Sequence, residues 1–315
     1  MNELKFYGTA SLILQEAILE ELALVNLTFE SQIEIYFDTT NISYLENSFR
    51  VLILLEPPSV MPENYILTAI DKFDLVIPLS PWRSAVMGLS QFAFQPIDQP
   101  VGCLNDEPKK HSLVFVNALK FGAVSSSLYG WRLKILDKLE TSGMTVEVYG
   151  PNWSMSKLME IRKRLAATRR ATLSKDFDLL EAWSSLFYRP KIYRGQTPDK
   201  LTTISGYTFA LIVENDSHSL TEKIFDALYS GAIVFYRGPN LSSYTNLARY
   251  CFELPKGVDE AVALIREVME SPKSSLVPVS RDIIDDSSFI APFSLANTAH
   301  TLALSIASAI NSFHA

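Results

Sequence analysis

Short apolar runs of strand length, separated by stretches of helical character, recur along most of this sequence. That alternation limits the chain to an α/β architecture with largely parallel sheets. Val51 to Leu55 (VLILL) is continuously apolar, as a strand covered on both faces requires. The run stops at Glu56-Pro57-Pro58, where proline cannot continue a ladder. The same reading predicts strands over Ser31–Phe37, Phe49–Leu55, Phe73–Pro78, Ser112–Ala118, Thr145–Tyr149, Tyr207–Glu214 and Ala232–Tyr236. It predicts helices over Leu12–Val25, Tyr65–Lys72, Leu128–Glu140 and Thr221–Ser230, helical segments through Ser154–Leu186, and a C-terminal helix over Phe293–Phe313. Gly143 and Gly231 stand where helix C-terminal glycines belong.

At 315 residues the expectation is two domains. The stretch Gln91 to Lys110, rich in Pro, Gln and Asp, reads as the linker between them. The expected division is an N-terminal α/β domain of residues 1–108 and a second of residues 109–292, with the helix at 293–315 packing back on the first. A net charge of −7 argues against a general nucleic-acid binder, whose phosphate partner calls for a basic surface. It leaves room for one local basic pocket. Cys103 and Cys251 have no metal-ligand spacing and read as reduced, partly buried thiols. Met1 to Ala10 lacks the pattern of a secretory signal. Leu12 to Val25 carries Glu16, Glu20 and Glu21, too many acids for a bilayer span, so it reads as an amphipathic core helix. The expectation is a soluble, cytoplasmic protein with no transmembrane segment.

In doubly wound sheets, ligands bind beyond the carboxyl ends of the strands, facing helix amino ends. Three polar clusters occupy such positions. Glu56 follows VLILL. Ser125 to Ser127 lead into a helix bearing Arg132. Glu214 and Asn215 lead through Ser217 and Ser219 to Thr221, Glu222 and Lys223. In the third cluster Thr221 is the expected N-cap, so that free amides and the helix dipole favour an anion, with Lys223 adding charge. Glu222 beside them can accept from ribose hydroxyls, and the combination suits a nucleotide sugar. Taken alone, Thr-Glu-Lys reads rather as a first-turn acid complementing the dipole and a solvated lysine, and only a longer match favours the ligand-binding reading. On position alone Glu56 is either a base or the end of a strand at a turn.

The longer segment YTFALIVENDSHSLTEKIFDALYSGAIVFYRGP, from Tyr207 to Pro239, resembles the signature of the α-1,3/4-fucosyltransferases, glycosyltransferase family ten. An aromatic strand ending in Glu-Asn, then Thr-Glu-Lys, a helix with Ala-Leu, and a strand ending near Gly-Pro all occur in order. SLVFVNALKFGAVSSSLYGWRLKILDKLE and RVLILLEPPSVMPENYILTAIDKFDLVIPLS are similar, more weakly, to upstream segments of that family. The resemblance covers about two-thirds of the chain, Phe49 to Leu254. One departure stands out: the family carries Tyr where this chain has Ser219, in a loop that is shorter here, with His218 beside it.

The resemblance implies a GT-B fold, two Rossmann-like domains facing across a cleft. It implies an inverting transfer of fucose from GDP-fucose to a glycan acceptor, lipid-linked in one version. Glu56 would be the general base. Arg132, Lys223 and the amides at Thr221–Lys223 would neutralise the departing diphosphate, Glu222 would hold the ribose, and Asn215 or Ser217 would supply polar contacts. No cofactor or metal is called for. Asp176-Phe177-Asp178 matches a metal-binding Asp-x-Asp literally, yet reads as part of a surface helix. The basic run Arg162 to Arg170 reads as a solvated helix face, with peripheral contact to an anionic membrane as the weaker reading. Two alternatives stay open: a GT-B transferase using another GDP-sugar, and a catalytically silent nucleotide-sugar-binding protein.

Overall fold

The computed structural model describes residues 4–25, 32–42, 48–94, 96, 109–173, 176–271 and 290–313. Cys103 and most of the expected linker lie outside them. The chain divides into two compact units, one of residues 1–98 with 290–315, the other of residues 99–289.

The first unit holds four parallel strands in sequential order, β1 (Leu4–Gly8), β2 (Gln32–Phe37), β3 (Ser48–Leu54) and β4 (Leu75–Pro78). Alternation sends Ile33, Ile35, Phe37, Val51 and Ile53 to one face and Tyr36, Leu52 and Leu54 to the other. Both faces are covered, which is why VLILL has no polar positions. Helix α1 (Leu12–Leu24) covers the first face with Leu14, Ile18 and Leu22, a row at i, i+4 and i+8. Two short helices, α2 (Leu67–Ile70) and α3 (Pro81–Val86), flank β4. The last helix, α10 (Leu295–Phe313), inserts Leu302, Ile306 and Ile310 into the same cluster as α1. His300 Nδ1 lies 2.8 Å from Glu21 Oε2, joining the two helices.

The second unit holds six parallel strands: β5 (Lys110–Val116), β6 (Val146–Tyr149), β7 (Ile192–Tyr193), β8 (Tyr207–Val213), β9 (Ile233–Arg237) and β10 (Cys251–Glu253). Its helices are α4 (Tyr129–Thr141), α5 (Lys157–Leu173), α6 (Leu179–Ala182), α7 (Lys200–Ser205), α8 (Glu222–Tyr229) and α9 (Val258–Glu270). All seven residues of β8 are buried, Thr208 included, as a strand covered on both faces requires. Helix α8 stops at Gly231, whose φ of +69° is the left-handed value that glycine adopts without a Cβ clash. Lys109 Nζ then donates to the carbonyls of Ser230 and Gly231 at 2.9 and 2.7 Å. A cation at the helix carboxyl end complements its dipole.

Two expectations are corrected here. The stretch Ser154–Leu186 is not helical throughout, because Asp178 is extended and caps α6, accepting from the Glu181 amide at 3.0 Å. The Asp176-Phe177-Asp178 segment is thus a connection rather than a surface helix, and Asp176 Oδ1 accepts from the Ser125 amide at 3.4 Å. Nor is the run from Arg162 to Arg170 wholly solvated. Arg164 is buried and bidentate on Glu160 Oε1 at 2.9 and 2.7 Å, with Arg189 completing the cluster. Cys251 is a free, buried thiol, which burial pushes up to about 12.

Candidate functional site

The second sheet runs in the order β10-β9-β8-β5-β6-β7. From β5 the chain builds outward through β6 and β7, then returns to lay β8, β9 and β10 on the other side of β5. The winding therefore reverses between β5 and β8. That reversal is where open α/β sheets keep their ligands. The serine loop after β5 and the Glu214–Thr221 loop after β8 meet there. Leu128 N donates to Asn215 O at 3.1 Å, and Ser217 N to Ser126 O at 2.8 Å. Ser126 Oγ donates to Asp216 Oδ2 at 2.6 Å, and Ser127 bridges Asp216 through the backbone. Asp216 is fully buried and also accepts from the His218 amide at 2.9 Å. Two of the three sequence-read clusters are thus one structure.

Glu214 is the hub of the β8 end. Its buried carboxylate accepts from Thr221 N at 3.0 Å, Thr221 Oγ at 2.6 Å and Lys223 Nζ at 3.2 Å. Thr221 holds the N-cap position of α8, but its hydroxyl is drawn to Glu214 and makes no capping bond. Among the described residues, the N-cap side chain therefore leaves the first amides of α8 unbonded. At α4, by contrast, Glu181 Oε1 accepts from Gly130 N and Trp131 N at 2.6 and 3.0 Å. Among the described residues, the amino end of α4 is thus taken by a carboxylate from another helix, whereas at α8 the N-cap side chain makes no such bond and only Glu222 turns its own carboxylate to its own amide. Lys223 is only 13% exposed. Glu222 is 42% exposed and lies 3.4 Å from Lys200. Burial opposes ionisation of Glu222, yet Lys223 and Lys200 outweigh it and hold the carboxyl below its usual range. Ser219 is buried in the same loop, while Asn215, Ser217 and His218 are half-buried.

Arg132 is 3% exposed. Its Nε and Nη2 donate to Val213 O at 3.1 and 2.6 Å, and Nη2 also reaches Asn215 Oδ1 at 2.8 Å. Burial lowers its pKa against the opposing pull of Tyr129 and Glu214. The guanidinium thus fastens α4 to the end of β8, and among the described residues only Nη1 is left without a partner. Arg237, at the end of β9, is a further cation that sequence reasoning missed. Its buried Nε has no hydrogen-bond partner among the described residues, and its guanidinium sits 5.9 Å from the Trp131 ring centroid.

No protein-family model matches the sequence, and no curated protein matches it. Solved structures do. A lipopolysaccharide outer core galactosyltransferase aligns over 97% of this chain and 99% of its own, at 12% identity and a TM-score of 0.50. A trehalose-6-phosphate synthase, studied for glycosyl transfer with retention, aligns over 94% and 78%, at 12% identity and 0.54. The fold is GT-B. An α1,3-fucosyltransferase with GDP also aligns, over 98% and 91% at 14% identity, but its TM-score of 0.49 carries no weight. Against a GtfA/B complex and TarM the chain spans 61% and 57% of the matched chain's length.

Within this GT-B chain, the remaining predicted residue, Glu56, belongs to the first unit. It is half-buried just past β3, with its backbone held on both sides. Its N–H donates to Asp38 Oδ1 at 3.0 Å, and its carbonyl accepts from Tyr65 OH at 2.8 Å. Among the described residues its own carboxylate accepts no hydrogen bond. Asp38, at the end of β2, was not read from sequence. It adopts φ +49° and is 5% exposed. Burial raises its carboxyl to about 6, the Glu56 amide bond opposes this, and the Glu56 charge adds to it. The only signal available was its place at the end of an apolar strand. A cavity of about 580 Å³, lined by His111, Thr145 and Arg266 among others, lies at the amino ends of β5 and β6. That is the wrong end of the sheet for a ligand held at the winding reversal.

Proposed function

We propose that this chain is a glycosyltransferase that moves fucose from GDP-fucose to a hydroxyl of a glycan acceptor. The observation that carries the reading is the uncapped amino end of α8 at the β5/β8 reversal, with Lys223 and Glu222 on its first turn. Uncapped amides and a helix dipole favour a diphosphate. Glu222 is held ionised and exposed enough to accept from ribose hydroxyls. The choice of fucose rests on the resemblance of residues 207–239, and Ser219 in place of the family's Tyr still offers a hydroxyl.

In this reading the acceptor oxygen attacks the anomeric carbon as the bond from that carbon to the diphosphate oxygen breaks, with inversion. Glu56 takes the hydroxyl proton. The amides of α8 and Lys223 offset the charge gathering on the departing GDP, without calling on a metal. Arg132 keeps the two loops in register and offers Nη1. The lysine's effect is tempered by Glu214, so the amides carry more of this work than a free lysine would imply.

Thermal denaturation with a panel of nucleotide sugars tests the donor. GDP and GDP-fucose should raise the melting temperature, corresponding to about 2.7 kcal/mol at a hundredfold excess over Kd, and UDP-sugars should not. A larger shift with GDP-mannose would favour another GDP-hexose. Glu56→Gln should abolish transfer and leave GDP binding intact. Unaltered transfer would remove Glu56 from the mechanism, and binding without transfer in the wild type would favour a silent GDP-sugar-binding protein.

A further inference from the structure

Helix α5 is built inside out. Its inward face carries the Glu160–Arg164 ion pair with Ala167 and Ala171, all buried. Of its large apolar side chains, Leu158, Met159 and Leu165 instead stand 59%, 45% and 54% exposed, while Ile161 is half-buried. A helix that packs only on its own domain does the opposite. Leu158, Arg162, Leu165 and Arg169 follow at i, i+4, i+7 and i+11, so leucines and arginines share one outward stripe. Arg162, Lys163 and Arg169 are exposed and make no ion pair among the described residues, and the one acid of the helix, Glu160, is buried. The following segment adds Phe177 and Leu180 at 51% and 84% exposure. Residues 157–187 supply seven of the sixteen exposed large apolar side chains of the described residues, although they are a tenth of the chain.

We propose that the outward face of α5 docks on an anionic lipid surface. Cations spaced among leucines in a chain of net charge −7 are the complement of a negatively charged interface with an apolar layer beneath it. An aqueous face would not call for the leucines, and a neutral apolar partner would not call for the cations. No helix among the described residues is long and apolar enough to cross a membrane, so the contact would be peripheral. The inference does not depend on the donor or on the reaction.

Sedimentation with vesicles tests it. The full chain should pellet with phosphatidylcholine vesicles containing about one third phosphatidylglycerol, at least about tenfold more strongly than with phosphatidylcholine alone, and less as salt rises. Arg162→Glu with Arg169→Glu, and separately Leu158→Ser with Leu165→Ser, should each weaken this by about tenfold or more. All four side chains are exposed, so far-UV circular dichroism should match the wild type. Failure to bind anionic vesicles, or variants that bind as the wild type does, overturns the proposal. So does self-association in sedimentation velocity that the serine variant abolishes without any vesicle binding, since the face would then meet a second copy.

Discussion

Replacing Glu214 with Gln should loosen the β8 end of the second unit and weaken GDP binding together. The carboxylate is fully buried and serves three donors, Thr221 N, Thr221 Oγ and Lys223 Nζ. Glutamine keeps an acceptor for the Thr221 amide but turns an NH₂ toward the hydroxyl and the ammonium. Removing one partner of a buried ion pair costs about 3–5 kcal/mol. Lys223, at 13% exposure, can turn partly to water, which brings the expected loss to about 2–3 kcal/mol. Urea unfolding followed by tryptophan fluorescence suits the purpose, because Trp131, Trp153 and Trp183 lie in the second unit and only Trp82 in the first. Since Glu214 also fixes the first turn of α8, calorimetry should show GDP affinity lower by about tenfold, or 1.4 kcal/mol. A stability loss under about 0.5 kcal/mol with unaltered GDP affinity would refute the hub role.

Asp38 and Asp226 are each raised by burial to about 6 from 3.8. The folded chain therefore keeps protons that the unfolded chain releases, and this part of its stability is fully present below pH 3.8 and lost as pH rises to about 6. Asp38→Asn should remove the Asp38 share of that loss, so the variant's urea midpoint should gain on the wild type's as pH rises from 3.8 to about 6, and a difference that does not change with pH would contradict the assignment. Gly130→Ala should destabilise by about 1–3 kcal/mol. Its new Cβ would meet the Glu181 backbone oxygen at 2.5 Å, so a thermal midpoint equal to wild type would count against the α4–Glu181 contact. Ile306→Ala, which empties a fully buried position on α10, should cost about 2–5 kcal/mol in urea unfolding. A negligible effect would mean that α10 adds little to the first unit.

The strands were legible because continuous apolar runs such as Val51–Leu54 and Phe209–Val213 have few other uses. β1 was not read: it is a short edge strand, half-buried to exposed, with Lys5 as its second residue. Helix α9 was missed despite a readable row of Ala261, Val262, Ile265 and Val268. At the site, the meeting of the serine loop with the Glu214 loop followed from strand order, which depends on the long return to β8 and not on local pattern. The Glu56–Asp38 contact joins residues 18 apart through the parallel register of β2 and β3, and no local spacing encodes it. For Glu160 and Arg164 the i, i+4 spacing was visible, but which face of the helix turns inward was not.

Hydrogen–deuterium exchange on the GDP-saturated chain bears most directly on the uncapped end of α8 as the diphosphate seat. GDP should slow exchange of the Glu222 and Lys223 amides and of the loop from Asn215 to Thr221. Exchange unchanged there, or slowed only around His111 and Arg266 at the far end of the sheet, would contradict the account.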